Sequence, residues 1–441
     1  MVGFAGRPDD SDQCENAINH LLAGQGRDLP PAVTRAALLA RLWSLARGHS
    51  GVSMDTVDAL AAMLATQFAP AAPELGSVGA SGDLIPLAYM VRSLMGEGYA
   101  HLAGQRLPAA EALRLAGLAP LALDGRDALA LVNGTSVTAA AAGLAVASAR
   151  RSYHIGAMLS AVLIDILGSD PVFLSAYLLD AFGHPPAEAT AALMRQLLNG
   201  TKPTGTRPFQ EPYSLRCTPQ LLGAVATSVM HVGNVVEADL NGISDNPLFF
   251  PDQDIIVHGG NFFGQPVAFV ADLLSTTLIQ MGNLAERQLD LLIDPHRNGG
   301  LPPMLSASPG AQHGVQGVQL AATSVVAQMR RAGLAASIQS LPTNGHNQDI
   351  VPFGTQAALN SLELARSLRW LHGSLAVALC QAAHLSDRKP SAPACADVVG
   401  QLRAVVPPID PDRPLDADVR AAADVLDRLA AQFAAERGGA L

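Results

Sequence analysis

The chain has 441 residues, of which 49% are hydrophobic and 15% charged, and its formal net charge is −10. A chain of this composition can bury a large core, and it lacks the basic excess that nucleic-acid binding requires. The four cysteines follow neither CxxC nor Cys/His ligand spacing, which argues against a disulfide framework and a zinc site. A reducing cytoplasm fits this cysteine usage.

Abundant Ala and Leu, with only 4% aromatic residues, favour a mainly α fold over a β-sandwich or barrel. Apolar periodicity predicts long helices over residues 31–47, 54–69, 136–167, 219–240, 265–292, 310–331 and 356–384. Turns rich in Gly and Pro, at 198–209 and 296–303, separate them. A tail rich in Pro and Asp, residues 386–414, precedes a last helix and is predicted to form a peripheral cap.

Two uncharged runs, residues 128–149 and 217–236, have the length of a membrane span. Both contain Asn, Pro, Gln or His among many small residues, which is typical of buried helices in a large bundle. We therefore expect no membrane insertion. No internal repeat or linker divides the chain, so we expect one domain over residues 1–441.

The segment GSVGASGDL, residues 76–84, places Ala80, Ser81 and Gly82 in a row. Such a tripeptide can cyclise when the Gly82 amide nitrogen attacks the Ala80 carbonyl carbon, an attack that almost any Cβ would obstruct. Loss of two waters then leaves a 4-methylideneimidazol-5-one (MIO) ring with the Ser81 methylene as electrophile. By itself, a stretch of small residues is typical of an ordinary loop, so other segments have to agree.

Four further blocks agree with this interpretation: ALALVNGTS (128–136), QEPYSLRCTPQ (210–220), SDNPLFF with HGGNFFGQP (244–266) and TNGHNQDIVPFGT (343–355). In order and spacing they resemble the LALINGT, QDxYSLRCxPQ, TDNP with GGNFxG, and Asn-Gln-Asp segments of the aromatic amino-acid ammonia-lyases and aminomutases. The resemblance implies a long-helix central bundle of the fumarase/aspartase-like type. It also implies an MIO cofactor formed from Ala80-Ser81-Gly82, and no metal or diffusible cofactor.

Within that single ammonia-lyase domain, we expect a cofactor-bearing part at about 1–200, a central helical bundle at about 201–385 and a C-terminal cap at about 386–441. An ammonia-lyase needs an electrophile, a base and an anchor for the substrate carboxylate, which the planar fork of an arginine suits. By resemblance, Arg216 is that anchor; the alternative is a buried structural salt bridge. Tyr213, expected on an irregular segment after Pro212, would lie against cofactor and substrate.

The resemblance assigns roles to four more polar residues. Asn133 and Gln210 match amides that hydrogen-bond the cofactor oxygen and the substrate, although an Asn before Gly is often only a turn former. Asp83 would assist ring formation and could cap a helix at the same time. Asn261 is a weaker candidate for a place near the ring.

Substrate choice is predicted from two further pairs. His20-Leu21 falls on the selectivity position, where tyrosine lyases carry His-Leu, phenylalanine lyases Phe-Leu and histidine lyases Ser-His. A histidine there can hydrogen-bond the hydroxyl of tyrosine; the alternative is an ordinary, partly buried histidine. Asn344 and Gln348, expected on one face of a helical turn, also match tyrosine lyases and the related aminomutases.

The chain departs from the family at its first residues, MVGFAG. The family's base is a tyrosine on a YGxxTGFG loop, and aligning Gly3-Phe4 with its GF places that tyrosine before Met1. We expect an N-terminally truncated sequence, either a fragment or a misplaced start. A protein that truly began at Met1 would have its turnover reduced by about a hundredfold to ten-thousandfold, because it would lack the positioned base. The alternative is a variant that lost the loop. Lesser departures are Glu211, where the family has Asp, and Pro352-Phe353, expected to reshape the pocket.

The sequence therefore predicts a cytoplasmic, homotetrameric enzyme that converts L-tyrosine to trans-p-coumarate and ammonia, with active sites drawn from three subunits. The rivals are a tyrosine 2,3-aminomutase, a histidine or phenylalanine ammonia-lyase, and a catalytically impaired homologue.

Overall fold

The structure is a computed structural model of the chain and describes residues 11–386 and 389–436. Helices account for 61% of the residues, which confirms the prediction of a mainly α protein. The α-helices of the described residues are α1 (Ser11–Asn19), α2 (Pro31–Leu45), α3 (Met54–Leu64), α4 (Leu84–Leu94), α5 (Ala109–Leu115), α6 (Asp127–Val132), α7 (Ser136–Leu167), α8 (Ala176–Phe182), α9 (Pro185–Leu197), α10 (Tyr213–Arg216), α11 (Thr218–Asn241), α12 (Gln265–Ile293), α13 (Gln316–Arg331), α14 (Gly354–Leu385), α15 (Pro393–Arg403) and α16 (Asp416–Glu436).

The long helices follow the sequence prediction with two corrections at their ends. The helix predicted over 54–69 ends at Leu64, because the chain turns there and residues 69–70 pair as a strand. The helix predicted over 310–331 begins only at Gln316, since Gly310 and Gly314 have φ values of 90° and 57° and lie in turns. Alanine-rich α7 has the predicted bounds, as expected of the best helix former.

Seven short strands, which the sequence analysis missed, lie within the described residues. They are β1 (Gln25–Asp28), β2 (Ala69–Pro70), β3 (Pro73–Leu75), β4 (Tyr99–Leu102), β5 (Gln105–Pro108), β6 (Leu248–Phe250) and β7 (Ile255–Val257). They form three antiparallel sheets, β1-β3, β2-β4-β5 and β6-β7. Strands of two to four residues are too short for alternation to reveal.

One compact unit consists of Met1–Ala145, Val232–Leu273 and Ala335–Leu362, and it contains all seven strands. In it, α4 packs against α6, and α1 packs against both. The buried Asp127 carboxylate, at the start of α6, accepts hydrogen bonds from the Ser53 amide at 2.9 Å and the Thr56 hydroxyl at 2.9 Å, which ties α6 to the start of α3. These helices position the turns that carry the candidate site.

The second compact unit consists of Val146–His231, Leu274–Leu334 and Glu363–Leu441. Buried polar bonds connect its helices: Gln288 Nε2 donates to Ser160 Oγ at 2.8 Å and to the Ser214 carbonyl at 2.9 Å. In the predicted C-terminal cap, the Ile409 amide donates to Gln381 Oε1 at 2.9 Å, so this segment packs on α14. The single-domain organisation stays a prediction.

Two described helices, α11 and α12, are long and apolar enough to cross a membrane by length and composition. Buried core helices pass the same test, and 61% of the apolar stretch of α12 is buried. Residues 128–149, the other run of membrane length, do not form one helix, because the chain turns at Asn133-Gly134 between α6 and α7.

Candidate active site

The tripeptide Ala80-Ser81-Gly82 lies in a tight turn just before α4. Gly82 has a φ of +74°, and a Cβ at this position would lie 2.5 Å from the carbonyl carbon of Gly134 and 2.6 Å from its nitrogen. Gly82 and Gly134 also form an isolated bridge, and the Asp83 amide donates to the Gly134 carbonyl at 2.7 Å. Only glycine fits such an approach of two backbones. The turn between α6 and α7 therefore lies directly against the tripeptide.

Asp83 is fully buried behind this turn. One carboxylate oxygen accepts from the Thr138 hydroxyl at 2.8 Å and the Thr355 hydroxyl at 2.6 Å, and the other accepts from the Thr138 amide at 2.7 Å. Ser77 Oγ lies 3.2 Å from the first oxygen. Burial raises the pKa of Asp83, while these hydrogen bonds oppose the rise. Asp83 occupies the N-cap position of α4, as predicted, but its side chain makes no capping bond, because both carboxylate oxygens are engaged by Thr138, Thr355 and Ser77.

Gln348 reaches the tripeptide from far along the sequence. Its Nε2 donates to Ser81 Oγ at 3.0 Å, and its Oε1 accepts from the Thr343 hydroxyl at 2.6 Å. The backbones of Thr343 and Gln348 pair across a turn in which Asn344 has a φ of +51°. The expected helical turn with Asn344 and Gln348 on one face is therefore wrong, because left-handed residues fold the segment back on itself. Asn344 is exposed.

Asn133 lies at the turn that backs the tripeptide. Its side chain is 4% exposed, and its Oδ1 is buried without a hydrogen-bond partner in the structure. Leaving a buried acceptor without a hydrogen bond costs free energy. The Asn133 amide oxygen is therefore free to accept a hydrogen bond from a ligand, which a residue that only forms a turn would not need. Asn261, by contrast, is exposed, and its place near the ring stays a prediction.

His20 and Leu21 directly follow α1, which packs against α4 and α6. The chain then passes the start of α4, because a Cβ at Gly24 would lie 3.0 Å from Ile85 Cγ2. His20 Nδ1 lies 3.0 Å from the Asn16 carbonyl oxygen. Since a carbonyl only accepts, Nδ1 carries the proton and Nε2 is the acceptor in the neutral ring. The His20 side chain is exposed, and Leu21 is half-buried.

Gln210, Tyr213 and Arg216 belong to the second unit. Tyr213 and Arg216 are the ends of α10, a single helical turn, so the expected irregular segment is wrong. The Arg216 guanidinium carbon lies 4.8 Å from the centre of the Tyr213 ring, a cation–π contact. Gln210 and Tyr213 are exposed.

Arg216 has capacity to bind an anion. Its Nε is buried without a partner, and no carboxylate within residues 11–386 and 389–436 forms an ion pair with it. Among the described residues, Arg216 therefore does not form the buried structural salt bridge that was the alternative. A guanidinium of this kind matches the fork of a carboxylate.

The two lesser departures have structural partners. Glu211 is buried, with its Oε2 2.6 Å from Arg207 Nη2 and its Oε1 accepting from the Ser169 hydroxyl at 2.6 Å. A Cβ at Gly79 would lie 2.9 Å from Pro352 Cγ, and the Phe353 amide donates to the Val78 carbonyl at 3.0 Å. Pro352 and Phe353 thus contact residues 78–79, which directly precede the tripeptide. Gly3-Phe4 lies outside the described residues.

Sequence reasoning missed several residues that complete this arrangement: Arg41, Ser77, Thr138 and Thr355. Thr355 closes the fifth motif and Thr138 follows the NGTS motif by two positions, so proximity to a motif was the available signal. Ser77 lies within the GSVGASGDL motif itself, whereas no sequence pattern marked Arg41. Among the described residues, no group of His, Cys, Asp and Glu is placed to hold a metal ion.

The residues present fit the MIO group that the tripeptide could form. The turn has the positive φ and the absence of Cβ that ring closure at Gly82 requires. It has a buried carboxylate, Asp83, within three residues of the ring atoms, and an unpaired buried amide oxygen at Asn133. Such a group, when formed, supplies an electrophilic methylene.

Comparison with known proteins gives a consistent result. Residues 5–404 match the family described as aromatic amino acid lyase. A tyrosine ammonia-lyase of Cereibacter sphaeroides is 41% identical over 434 residues, which are 92% of this chain and 82% of the relative. A histidine ammonia-lyase of Symbiobacterium thermophilum is 36% identical over 431 residues, 96% of this chain and 85% of the relative. The crystal structure of tyrosine aminomutase from Streptomyces globisporus matches with a TM-score of 0.90 at 34% identity, covering 97% of this chain and 85% of that one.

The helical fold, the buried tripeptide turn and these matches together define a carbon–nitrogen lyase. The expected ammonia-lyase fold is confirmed by the structural match. The chain belongs to the aromatic amino acid lyase family. Membership implies an MIO-dependent enzyme with ammonia-lyase or aminomutase activity on an aromatic amino acid.

Proposed function

We propose that this protein eliminates ammonia from L-tyrosine to give trans-p-coumarate, with an MIO group formed from Ala80-Ser81-Gly82. The single observation that carries the choice of tyrosine is His20, whose Nδ1 is engaged by the Asn16 carbonyl at 3.0 Å. This bond leaves Nε2 as an acceptor for a phenol hydroxyl. A site that hydrogen-bonds a substrate hydroxyl rejects the analogue that lacks it, because the partner is then left unpaired.

The protein's own residues bind and orient the substrate. Arg216 binds the substrate carboxylate through its guanidinium fork, and the Asn133 amide, whose Oδ1 is buried and unpaired, accepts a hydrogen bond from the ligand. Gln348, held by Thr343 at 2.6 Å, fixes the position of the residue 81 side chain. Tyr213, Gln210 and Asn344 complete the polar contacts by resemblance to the family.

Assembly is part of the proposal. Arg216 and Tyr213 are exposed or half-buried in one chain, and we propose a homotetramer in which three subunits contribute to each active site. Four free cysteines are compatible with the cytoplasm, where we place the enzyme, without membrane insertion.

A tyrosine 2,3-aminomutase is the second candidate. It is favoured by the match to the Streptomyces globisporus aminomutase, at a TM-score of 0.90. An aminomutase uses the same kinds of binding residue and returns ammonia to the β-carbon, so only its product separates it from the lyase. Histidine and phenylalanine are the remaining candidate substrates, since a histidine ammonia-lyase and a phenylalanine aminomutase are among the similar proteins.

The proposal is tested by incubating the purified protein with L-tyrosine, L-phenylalanine and L-histidine in separate assays. Coumarate as the main product supports the proposal, β-tyrosine identifies the aminomutase, and urocanate from histidine contradicts the assignment of His20. The matched variant His20→Phe removes the hydroxyl's partner. We expect it to lower the ratio of kcat/KM for tyrosine over phenylalanine by about a hundredfold or more, whereas an unchanged ratio contradicts a role for His20.

A further inference from the structure

Arg41, in α2, is a buried cation that forms no direct ion pair with a carboxylate among the described residues, although the charges of Asp245 and Asp83 act on it. Its side chain is 1% exposed, and no described residue forms an ion pair with it. Nη1 donates to the carbonyls of Asn133 at 3.1 Å and Ser244 at 2.8 Å, while Nε and Nη2 have no hydrogen-bond partner. Burial lowers its pKa to about 10, so it is charged at neutral pH. Burying a cation while two of its nitrogens lack hydrogen-bond partners costs free energy. We therefore expect Arg41 to have a function that offsets this cost.

The location of Arg41 indicates what that function is. A Cβ at Gly134 would overlap Nη1 of Arg41 and lie 2.5 Å from the Ser244 carbonyl oxygen. The Gly134 backbone also lies against Gly82. The Gly134 turn is therefore in contact with both the Arg41 guanidinium and Gly82. Thr135, the next residue, donates its amide to Ser244 Oγ at 2.8 Å, so the turn is held at both ends.

Ring closure depends on how Gly82 is held. The Gly82 nitrogen forms a bond to the Ala80 carbonyl carbon, and the Ala80 oxygen leaves as water with the protons of the Gly82 and Ser81 amides. A second water takes the Ser81 hydroxyl and the proton on its Cα, which leaves an exocyclic double bond. Two waters are lost and nothing is oxidised or reduced. The step requires the Gly82 nitrogen close to the Ala80 carbon, since misplacement by about 1 Å costs on the order of a hundredfold in rate.

We propose that Arg41 is a positioning residue for cofactor formation. Arg41 donates hydrogen bonds to the carbonyls of Asn133 and Ser244, which fix the position of the turn at Gly134. This turn then holds the Gly82 nitrogen close to the Ala80 carbonyl carbon. Arg41 acts through the backbone of this turn and touches no substrate. The inference rests on the proposed function, because it presumes that the tripeptide cyclises.

Arg35 provides a matched control on the same helix. It is half-buried and donates only to backbone carbonyls, those of Leu64, Thr66 and Phe68 at 2.6–3.0 Å. These carbonyls lie at the end of α3 and beyond it, away from Gly134. Each of the two substitutions therefore removes an arginine that hydrogen-bonds backbone carbonyls of other segments of the chain. Only Arg41 contacts the turn at Gly134, which lies against the tripeptide.

The test compares Arg41→Met, Arg41→Lys and Arg35→Met with the unchanged protein. The readout is the mass of tryptic peptide 48–92, which contains Ser81 and whose ends are unaffected by these substitutions; circular dichroism and thermal unfolding report folding. We expect Arg41→Met to slow the loss of two waters on the order of a hundredfold, so that the peptide stays unmodified in the folded protein. Arg41→Lys, which still donates to one carbonyl, should be intermediate, and Arg35→Met should be fully dehydrated.

Complete dehydration in folded Arg41→Met overturns the inference, as does an equal loss of dehydration in Arg35→Met. If Arg41→Met does not fold, Arg41→Lys decides, and dehydration at the unchanged rate in the folded lysine variant overturns the inference. A failure of the proposed function looks different, because peptide 48–92 of the unchanged protein would then keep both waters.

Discussion

Gly82 and Gly134 show how local sequence specifies part of the site. Each sits in a short motif of small residues, and the two backbones approach so closely that a Cβ at Gly82 would lie 2.5 Å from the Gly134 carbonyl carbon. Sequence could indicate both turns, since each motif is contiguous. It could not indicate from spacing that Gln348 bonds Ser81 across 267 positions; only the resemblance grouped them. Arg41, in a plain helical pattern, could not be singled out at all.

We expect Gly82→Ala to lose ring formation and to lower the free energy of unfolding by about 1–3 kcal/mol, because the new Cβ collides with backbone that cannot move aside. Gly125→Ala is the control: its φ is also positive, at 50°, but nothing lies within 4 Å of the added Cβ. It should lose about 1–2 kcal/mol from left-handed strain alone and keep the two-water loss. A dehydrated peptide 48–92 in Gly82→Ala would contradict the role given to this contact.

At the scale of the element, α14 (Gly354–Leu385) was predictable in extent but not in its chemistry. His372 lies in its middle, 2% exposed, among Leu159, Leu222 and Leu375, with its Nδ1 unpaired. Burial lowers the pKa of His372 to about 3, because the charged form is poorly solvated there. Periodicity placed this position on a helix, but burial of one histidine depends on the helices packed around it, which sequence spacing does not fix.

The free energy of unfolding should therefore depend on pH through His372. The folded protein keeps the ring neutral, while the unfolded chain takes up a proton below about pH 6.5, so stability is lost as pH falls from there towards 3. Between pH 7 and pH 5 we expect His372→Leu to gain about 2 kcal/mol relative to the unchanged protein, at one protein concentration. His258→Leu, at an exposed histidine, is the control and should follow the unchanged protein. Parallel curves for His372→Leu would contradict this account.

At the scale of the whole molecule, the proposed tetramer needs an exposed surface that could form an interface, and the long apolar helix α12 has one. Along α12 the exposed or half-buried positions recur every three or four residues: Phe269, Leu273, Thr276, Gln280, Asn283 and Arg287. Such spacing forms one continuous stripe on a helix, and its first two residues are large and apolar, at 60% and 38% exposure. The sequence predicted the helix and, by resemblance, the tetramer. The sequence could not distinguish this exposed stripe from the buried face of α12, because both contain apolar residues.

The double variant Phe269→Glu with Leu273→Glu places charges on this stripe, and we expect it to break the proposed tetramer into smaller species with loss of turnover. Each apolar side chain withdrawn from an interface forfeits about 1.5–3 kcal/mol per copy. Light scattering on a size-exclusion column measures the mass. Leu115→Glu, at an exposed position on α5, is the control and should keep the assembly. A double variant of unchanged mass would show that the stripe is not an interface.

The mass of tryptic peptide 48–92 is the measurement that tests the central claim most directly, because the electrophile must come from Ala80-Ser81-Gly82 if this lyase works as proposed. The account predicts a peptide from the purified, folded protein that is lighter than its sequence by two waters. A peptide of unaltered mass in a folded protein that nevertheless produced coumarate would contradict it.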